Sequence, residues 1–427
     1  MEASAVAWLK RDRTNYADDE PETRLVIRTT KQSIVSFRAA ALHLERRLPA
    51  SDLLSALRPC GLQNTPPGTA MLGAAARIRG LSVKAWTEAS ERKKSLVEMW
   101  AMRGSPIVIA ANDLPYFSTG LCPESEPEIL HGMGGALEPL AASGISATDL
   151  LRRLCERAVE VLDGRALSKR EFGEALTPAI PERLRERLAR IRPPGGDDPL
   201  VFFTLSAARL ISLRGIFLMA PREAGKEPTL VRSDQWLEGK PQAIAGTDAR
   251  AELVRRFLSS FAPATSQDLA WWANTQTSPA ARRAAEAHAA RIWNLVQEEI
   301  TQVERPDGSV AFVLTDDLGR LADPPKVIGV RLIPPHDPLL MARDRDNIVS
   351  RQYHNRLWRS AHNPGVVLGA TGLIATWTAR KQSRQLTITI EPLGSAIDRR
   401  THDAIADEAA LTAELRGCDE ARLEIAT

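Results

Sequence analysis

Three groups of residues in this 427-residue chain have the types and spacing to do chemistry. The first is Pro334-Pro335-His336-Asp337-Pro338. Three prolines make a rigid, non-helical loop. An imidazole beside a carboxylate could move protons or bind phosphate, and in a proline-rich turn the same pair also serves plain structure. The second is the stretch from Pro279 to Trp293, which carries Arg282, Arg283, His288 and Arg291. On one helix these cations could neutralise phosphates while an adjacent wing reaches a groove. A solvated helix face has the same composition. The third is Gly61-Leu62-Gln63-Asn64-Thr65-Pro66-Pro67. Amides and hydroxyls commonly cap helices, and composition alone announces no catalysis here. There is no Walker loop, HExxH, GxSxG or cysteine–histidine cluster, so no metal and no nucleotide cofactor is indicated. No serine or cysteine nucleophile stands in a recognisable elbow near His336, which sets aside a hydrolase built on that pair.

The elements that must position these groups repeat in outline. From about 33 to 120 several helices (Ser33–Leu48, one after Ser51, Gly68–Ile78, Leu81–Glu91) precede two extended stretches, Val97–Met102 and Ile107–Ala110. Arg103-Gly104-Ser105-Pro106 is the turn between them. Helices followed by a hairpin are the outline of a winged helix. The outline recurs with Leu150–Leu162, a helix capped by Ser168 with Glu171, Phe202–Leu213, and a hairpin across the loop 221–227. It recurs again with Thr265 capping Gln267–Ala273, Ser278 capping Pro279–Trp293, and a strand pair over Ile300–Arg305 and Ser309–Leu314. From about 326 the pattern turns to strands: Val327–Ile333, Gly365–Leu368, Leu373–Arg380 and Gln385–Ile390, the last with period-2 alternation. A helix over about 398–416 closes this part. The expected architecture is α+β, three tandem winged-helix domains followed by a small C-terminal antiparallel β-barrel. The boundaries read 1–32 (a polar extension, partly disordered), 33–124, 125–246, 247–325 and 326–427.

Composition narrows the class. The hydrophobic fraction is 44% and the charged fraction 26%, ordinary for a soluble globular chain. The longest apolar runs fall well below the roughly 18 residues a membrane span needs. Cys60, Cys122, Cys155 and Cys418 form no CxxC pair, and no signal peptide opens the chain; both fit a cytoplasmic protein. Net charge is +3, yet residues 326–400 hold 12 Lys and Arg against 5 Asp and Glu. A basic segment on a near-neutral chain points to a polyanion.

Several stretches together resemble the bacterial winged-helix family that contains the AlkZ and YcaQ DNA glycosylases. They are Gly61-Leu62-Gln63, Trp100-Ala101-Met102-Arg103-Gly104, Asp113-Leu114-Pro115, Phe261-Ala262-Pro263-Ala264-Thr265 with Asp268, and, most strongly, Val330 to Leu340. Arg343-Asp344-Arg345, Trp358-Arg359, Asn363 to Val367 and Thr376-Trp377 follow. The resemblance implies winged helices arranged as a C around duplex DNA, and a monofunctional glycosylase for alkylated purines, including N7 adducts and interstrand crosslinks. It implies double-stranded DNA as partner, no membrane, no cofactor, and a monomer. N7-alkylation makes guanine a cationic leaving group. The protein then has mainly to stabilise oxocarbenium character and place a water. In the family that work falls to a Gln-x-Gln or Gln-x-Asp motif. Gln63 keeps the first position here. Thr65 stands at the second, with a shorter reach, and Pro66 follows where the family commonly has Asp. The catalytic candidates are therefore Gln63 and Thr65. The DNA-binding candidates are Arg103, Arg282, Arg283, Arg291, His336, Asp337, Arg343, Arg345, Arg380 and Lys381. Thr65 leaves a second reading open: a winged-helix DNA-binding protein without catalysis, acting as a lesion sensor or regulator.

Overall fold

The computed structural model describes residues 27–133, 137–222, 226–239, 244–274, 278–394 and 396–426. Most of the expected N-terminal extension, residues 1–26, lies outside these.

The strands in chain order are β1 (Ile27–Arg28), β2 (Leu62–Gln63), β3 (Leu96–Trp100), β4 (Pro106–Ala110), β5 (Ala166–Leu167), β6 (Phe217–Met219) and β7 (Leu230–Arg232). They continue with β8 (Ile300–Glu304), β9 (Val310–Leu314), β10 (Arg331–Ile333), β11 (Gly365–Gly369), β12 (Gly372–Gln382), β13 (Gln385–Pro392) and β14 (Glu420–Ile425). They form three sheets, in the orders β1-β8-β9, β2-β4-β3-β6-β7-β5 and β10-β11-β12-β13-β14.

The middle sheet crosses what the sequence reads as a unit boundary. Glu98 of β3 pairs with Met219 of β6, which joins the first hairpin to the second. Trp100 meets Phe217 edge to face at 5.6 Å, and Ser212 accepts from the Trp100 amide. Beneath this sheet lies one large core. Met99, Met102 and Ile107 of the first hairpin share it with Phe217, Trp272, Ile333, Leu339 and Leu340.

The helix Lys31–Ala41 belongs by sequence to the first unit, but it packs across the molecule. Phe37 is buried with Ala262, Val303, Val313 and Leu321, and Arg320 lies over its ring at 4.7 Å. Just before that helix, β1 pairs in parallel with β8, Ile27 opposite Val303.

The C-terminal sheet differs from the expected antiparallel barrel. Its order is linear, β10 and β14 do not pair, and β14 joins β13 in parallel. The physical reason is the helix Arg399–Leu415, which runs between β13 and β14 and covers the sheet. Ile405, Ala409 and Ala413 bury against Leu332, Ile388 and Ile390. A helix seals that face, so the sheet needs no closure. No helix among the described residues is long and apolar enough to cross a membrane.

Candidate functional site

Gln63 sits on an edge strand held from three directions. Gly61 makes the approach possible: its φ is +65°, and a Cβ there would lie 2.7 Å from both Ile107 Cγ2 and Ile109 Cγ2. β2 then pairs antiparallel with β4, Gln63 opposite Ile107. The Asn64 amide donates to the Pro106 carbonyl at 2.8 Å. Thr69, first in the helix Thr69–Arg77, donates its hydroxyl to the carbonyls of Gln63 (2.9 Å) and Pro66 (2.7 Å).

Alternation along this strand sends successive side chains to opposite faces. Leu62 joins the small cluster with Val108 and Leu96. Asn64 donates to Glu98 Oε2 at 2.9 Å and accepts from the Gly68 amide at 2.8 Å. Arg222, 124 positions further along the chain, donates to the other Glu98 oxygen at 2.9 Å. Burial pushes the Glu98 carboxyl up, and Arg222 and Asn64 oppose that. A cavity of about 590 Å³ opens on this face, walled by Trp86, Glu98 and Trp236 among others. Gln63 takes the other face, the side of Ile107 and the large core. It is half-buried, and its amide oxygen is buried without a hydrogen-bond partner among the described residues. Thr65 is exposed, past the end of β2, and its peptide bond to Pro66 is cis.

The loop Pro334–Pro338 leaves the end of β10, which is pinned by Trp377. The indole donates to the Ile333 carbonyl at 2.8 Å. Gly365 leaves room for that ring, which would lie 2.3 Å from a Cβ there. His336 and Asp337 then part company. Asp337 turns inward and is fully buried against Arg77, with bonds of 2.8 and 3.0 Å, and also accepts from the Leu339 amide. This corrects its expected place on the DNA face: a carboxylate enclosed by a guanidinium has no side left for a nucleic acid. His336, at φ +62°, stays half-buried on the opposite side. Burial lowers its pKa, and the Arg103 guanidinium lowers it further.

Arg103 occupies the turn Met102–Gly104 between β3 and β4, four residues before Ile107, the partner of Gln63. Its guanidinium lies 5.2 Å from the Trp271 ring centroid and donates to Met341 Sδ at 3.2 Å. Its Nη1 is buried and has no partner among the described residues. Burial, then the nearby cations Arg209 and Arg345, depress its pKa to about 10. Arg209 bonds the Ala101 and Ala273 carbonyls, and Arg345 stacks at 4.6 Å on Trp358.

The remaining candidates are scattered. Arg282 and Arg283 are exposed on the helix Pro279–Trp293. Arg291 on that helix is committed to Glu128 (2.9 Å) and Glu124 (3.3 Å). Burial would raise the Glu128 carboxyl, but His288 and Arg291 hold it well below the usual carboxylate range. Arg343 reaches Asp268 at 3.4 Å. Arg380 is exposed near the β12–β13 turn, and Lys381 donates to the Arg416 carbonyl at 2.8 Å, closing a helix C-terminus. Three participants escaped the sequence reading: Asn64 as a clamp, Arg209, and Trp271. A signal for Trp271 existed. In the pair Trp271-Trp272 on one helix the two rings cannot both face the core, and Trp272 is the one packed on Phe257 and Phe261.

In fold the chain follows a DNA glycosylase. The structure of Streptomyces sahachiroi DNA glycosylase AlkZ matches with a TM-score of 0.68 at 21% identity, covering 94% of this chain and 100% of that one. Residues 56–419 match the family model described as DNA glycosylase AlkZ-like, and the chain belongs to that family, a group of hydrolases acting on N-glycosyl bonds. A Streptomyces sahachiroi relative, named an interstrand DNA cross-link repair glycosylase, is 23% identical over 336 residues, 76% of this chain and 80% of that protein.

Proposed function

We propose that this protein hydrolyses the N-glycosidic bond of N7-alkylated purines in duplex DNA, bulky and crosslinked adducts included, with Gln63 positioning the attacking water. The observation that supports this most is the Gln63 amide. Its backbone is fixed by β4 and Thr69, and its buried oxygen is left without a partner. A buried polar atom in that state is costly unless something else fills its need, and a water or the reacting sugar would. Alkylated N7 departs without prior protonation, so no general acid is required; the oxocarbenium-like carbon is reactive enough for a water held by a neutral amide, and the proton that water sheds passes to solvent. The name of the Streptomyces relative favours crosslinked substrates. On this reading residues 33–124, 125–246 and 247–325 are three winged-helix units that face the duplex, and the protein works as a monomer.

A second reading has its own observation. Thr65 is exposed beyond the strand, which favours a DNA-binding relative that has lost base excision. The test is base release from duplexes carrying N7-methylguanine or a bulkier N7 adduct, read after alkaline cleavage. Gln63→Ala is expected to lose about 10² to 10³ in rate with duplex binding retained. Equal loss of binding and rate would end the assignment of Gln63. Release only after Thr65→Gln would establish the second reading.

A further inference from the structure

Arg209 and Arg331, both largely buried, meet backbone carbonyls, and several other largely buried arginines are answered by carboxylates: Arg38 by Asp344, Arg47 by Glu408, Arg77 by Asp337, Arg222 by Glu98, Arg256 by Asp113 and Arg305 by Asp268. Arg103 is not. Among the described residues no carboxylate pairs with it, and the charges that act on it are two more guanidiniums, Arg209 and Arg345. One of its donors meets a thioether, a weak acceptor, and another meets nothing. Arg209 donates to the Ala101 and Ala273 carbonyls, and Arg345 lies over the Trp358 ring, 4.6 Å from its centroid. Of these three neighbouring guanidiniums, Arg103 is thus the one with a buried nitrogen that no described residue meets. Burial and the Arg103 charge favour the neutral imidazole at His336, which can add one N–H.

We propose that Arg103, flanked by Arg345 and His336, forms the site for one backbone phosphodiester of the DNA strand that carries the target nucleotide. A planar guanidinium fits an oxyanion with two parallel bonds. Guanine offers a similar pair of acceptors through O6 and N7, but an N7-alkylated base has lost N7 and gained positive charge, which three arginines repel. The phosphate and the base therefore go to different places, the phosphate to the hairpin turn and the base towards Gln63. This inference rests on the glycosylase reading for the identity of the anion.

The experiment is a binding series with the full chain. Duplexes carry a single neutral methylphosphonate at each linkage near an N7-methylguanine, and are bound by the parent, Arg103→Gln and Arg103→Lys. The parent is expected to lose about tenfold in affinity at one linkage, the size of one charge-assisted contact. Arg103→Gln is expected to bind all-phosphate duplex about tenfold more weakly, with no further loss at that linkage, and Arg103→Lys to recover part of the sensitivity. Melting curves for the three proteins check folding. If Arg103→Gln stays as sensitive as the parent at every linkage, the phosphate site is wrong, whatever the protein does to the base. A parent that shows the coupling but releases no base keeps the site and loses the catalytic reading. A parent that binds no duplex overturns both.

Discussion

Two arginines flank the loop Pro334–Pro338, and they have opposite fates. Arg77 is 1% exposed and donates from every nitrogen. Its Nε goes to the Leu42 carbonyl, Nη1 to Gly73 and Asp337, and Nη2 to Asp337. Arg103, which donates to Met341 just past the same loop and whose charge acts on His336, has a buried nitrogen with no partner among the described residues. The first arrangement is closed: each charge satisfies the other, and nothing further can bind. The second is open, and a ligand that accepts from its free nitrogen would offset its cost. Closed and open polar groups differ in what they hold together, the first the fold and the second a complex.

Breaking the closed site should produce the largest effect. Asp337→Ala strands a guanidinium in the interior and is expected to lower unfolding free energy by about 3–5 kcal/mol, measured by urea denaturation. Arg77→Met with Asp337→Leu should recover most of that. A single variant that loses under about 1 kcal/mol would mean that water reaches this pair and that the contrast is overdrawn. The open site should respond the other way. Arg103→Met removes an uncompensated charge, so its melting temperature is expected to stay level or rise by about 1–2 °C. A fall of several degrees would make Arg103 a structural cation. The smallest effect is on titration. The fold holds His336 below its ordinary 6.5, so the native state binds fewer protons there than the unfolded chain. The resulting penalty is absent well above pH 6.5 and grows as pH falls, until His336 itself is protonated. Arg103→Gln removes one cause of the depression, and imidazole resonances followed by NMR should show the His336 pKa moving up.

What was legible in the sequence was local. The Ser168–Glu171 capping box, the Thr265 cap and the Ser278-Pro279 start all form as their spacing demands. The hairpins over Leu96–Ala110 and Ile300–Leu314 fall within a residue or two of where alternation and turn residues put them. The helix expected over Leu81–Glu91 starts at Val83 and widens after Thr87, over Glu88–Arg92. Long-range contacts were not legible. Nothing in an alanine-rich helix says that Arg77 will meet a carboxylate 260 positions away. Adjacent letters suggested that His336 and Asp337 act together, whereas the left-handed backbone at His336 turns them apart. Gln63 was found through its family motif. Its placement on an edge strand, with Asn64 held on the far face by Glu98, a carboxylate that Arg222 also binds, needed the fold.

The helix Lys31–Ala41 has a consequence for how the chain is made. Its buried ring Phe37 waits for Ala262, Val303, Val313 and Leu321. At about 5–20 residues per second on the ribosome, the last of these emerges on the order of 15–60 s later. Throughout that interval the helix has a bare apolar stripe and no native surface to cover it. The part of the chain around this helix therefore cannot finish assembling before Leu321 has been synthesised. A fragment cut at the boundary read from sequence, near residue 124, would keep Gln63 and lose the partners of the helix that precedes it.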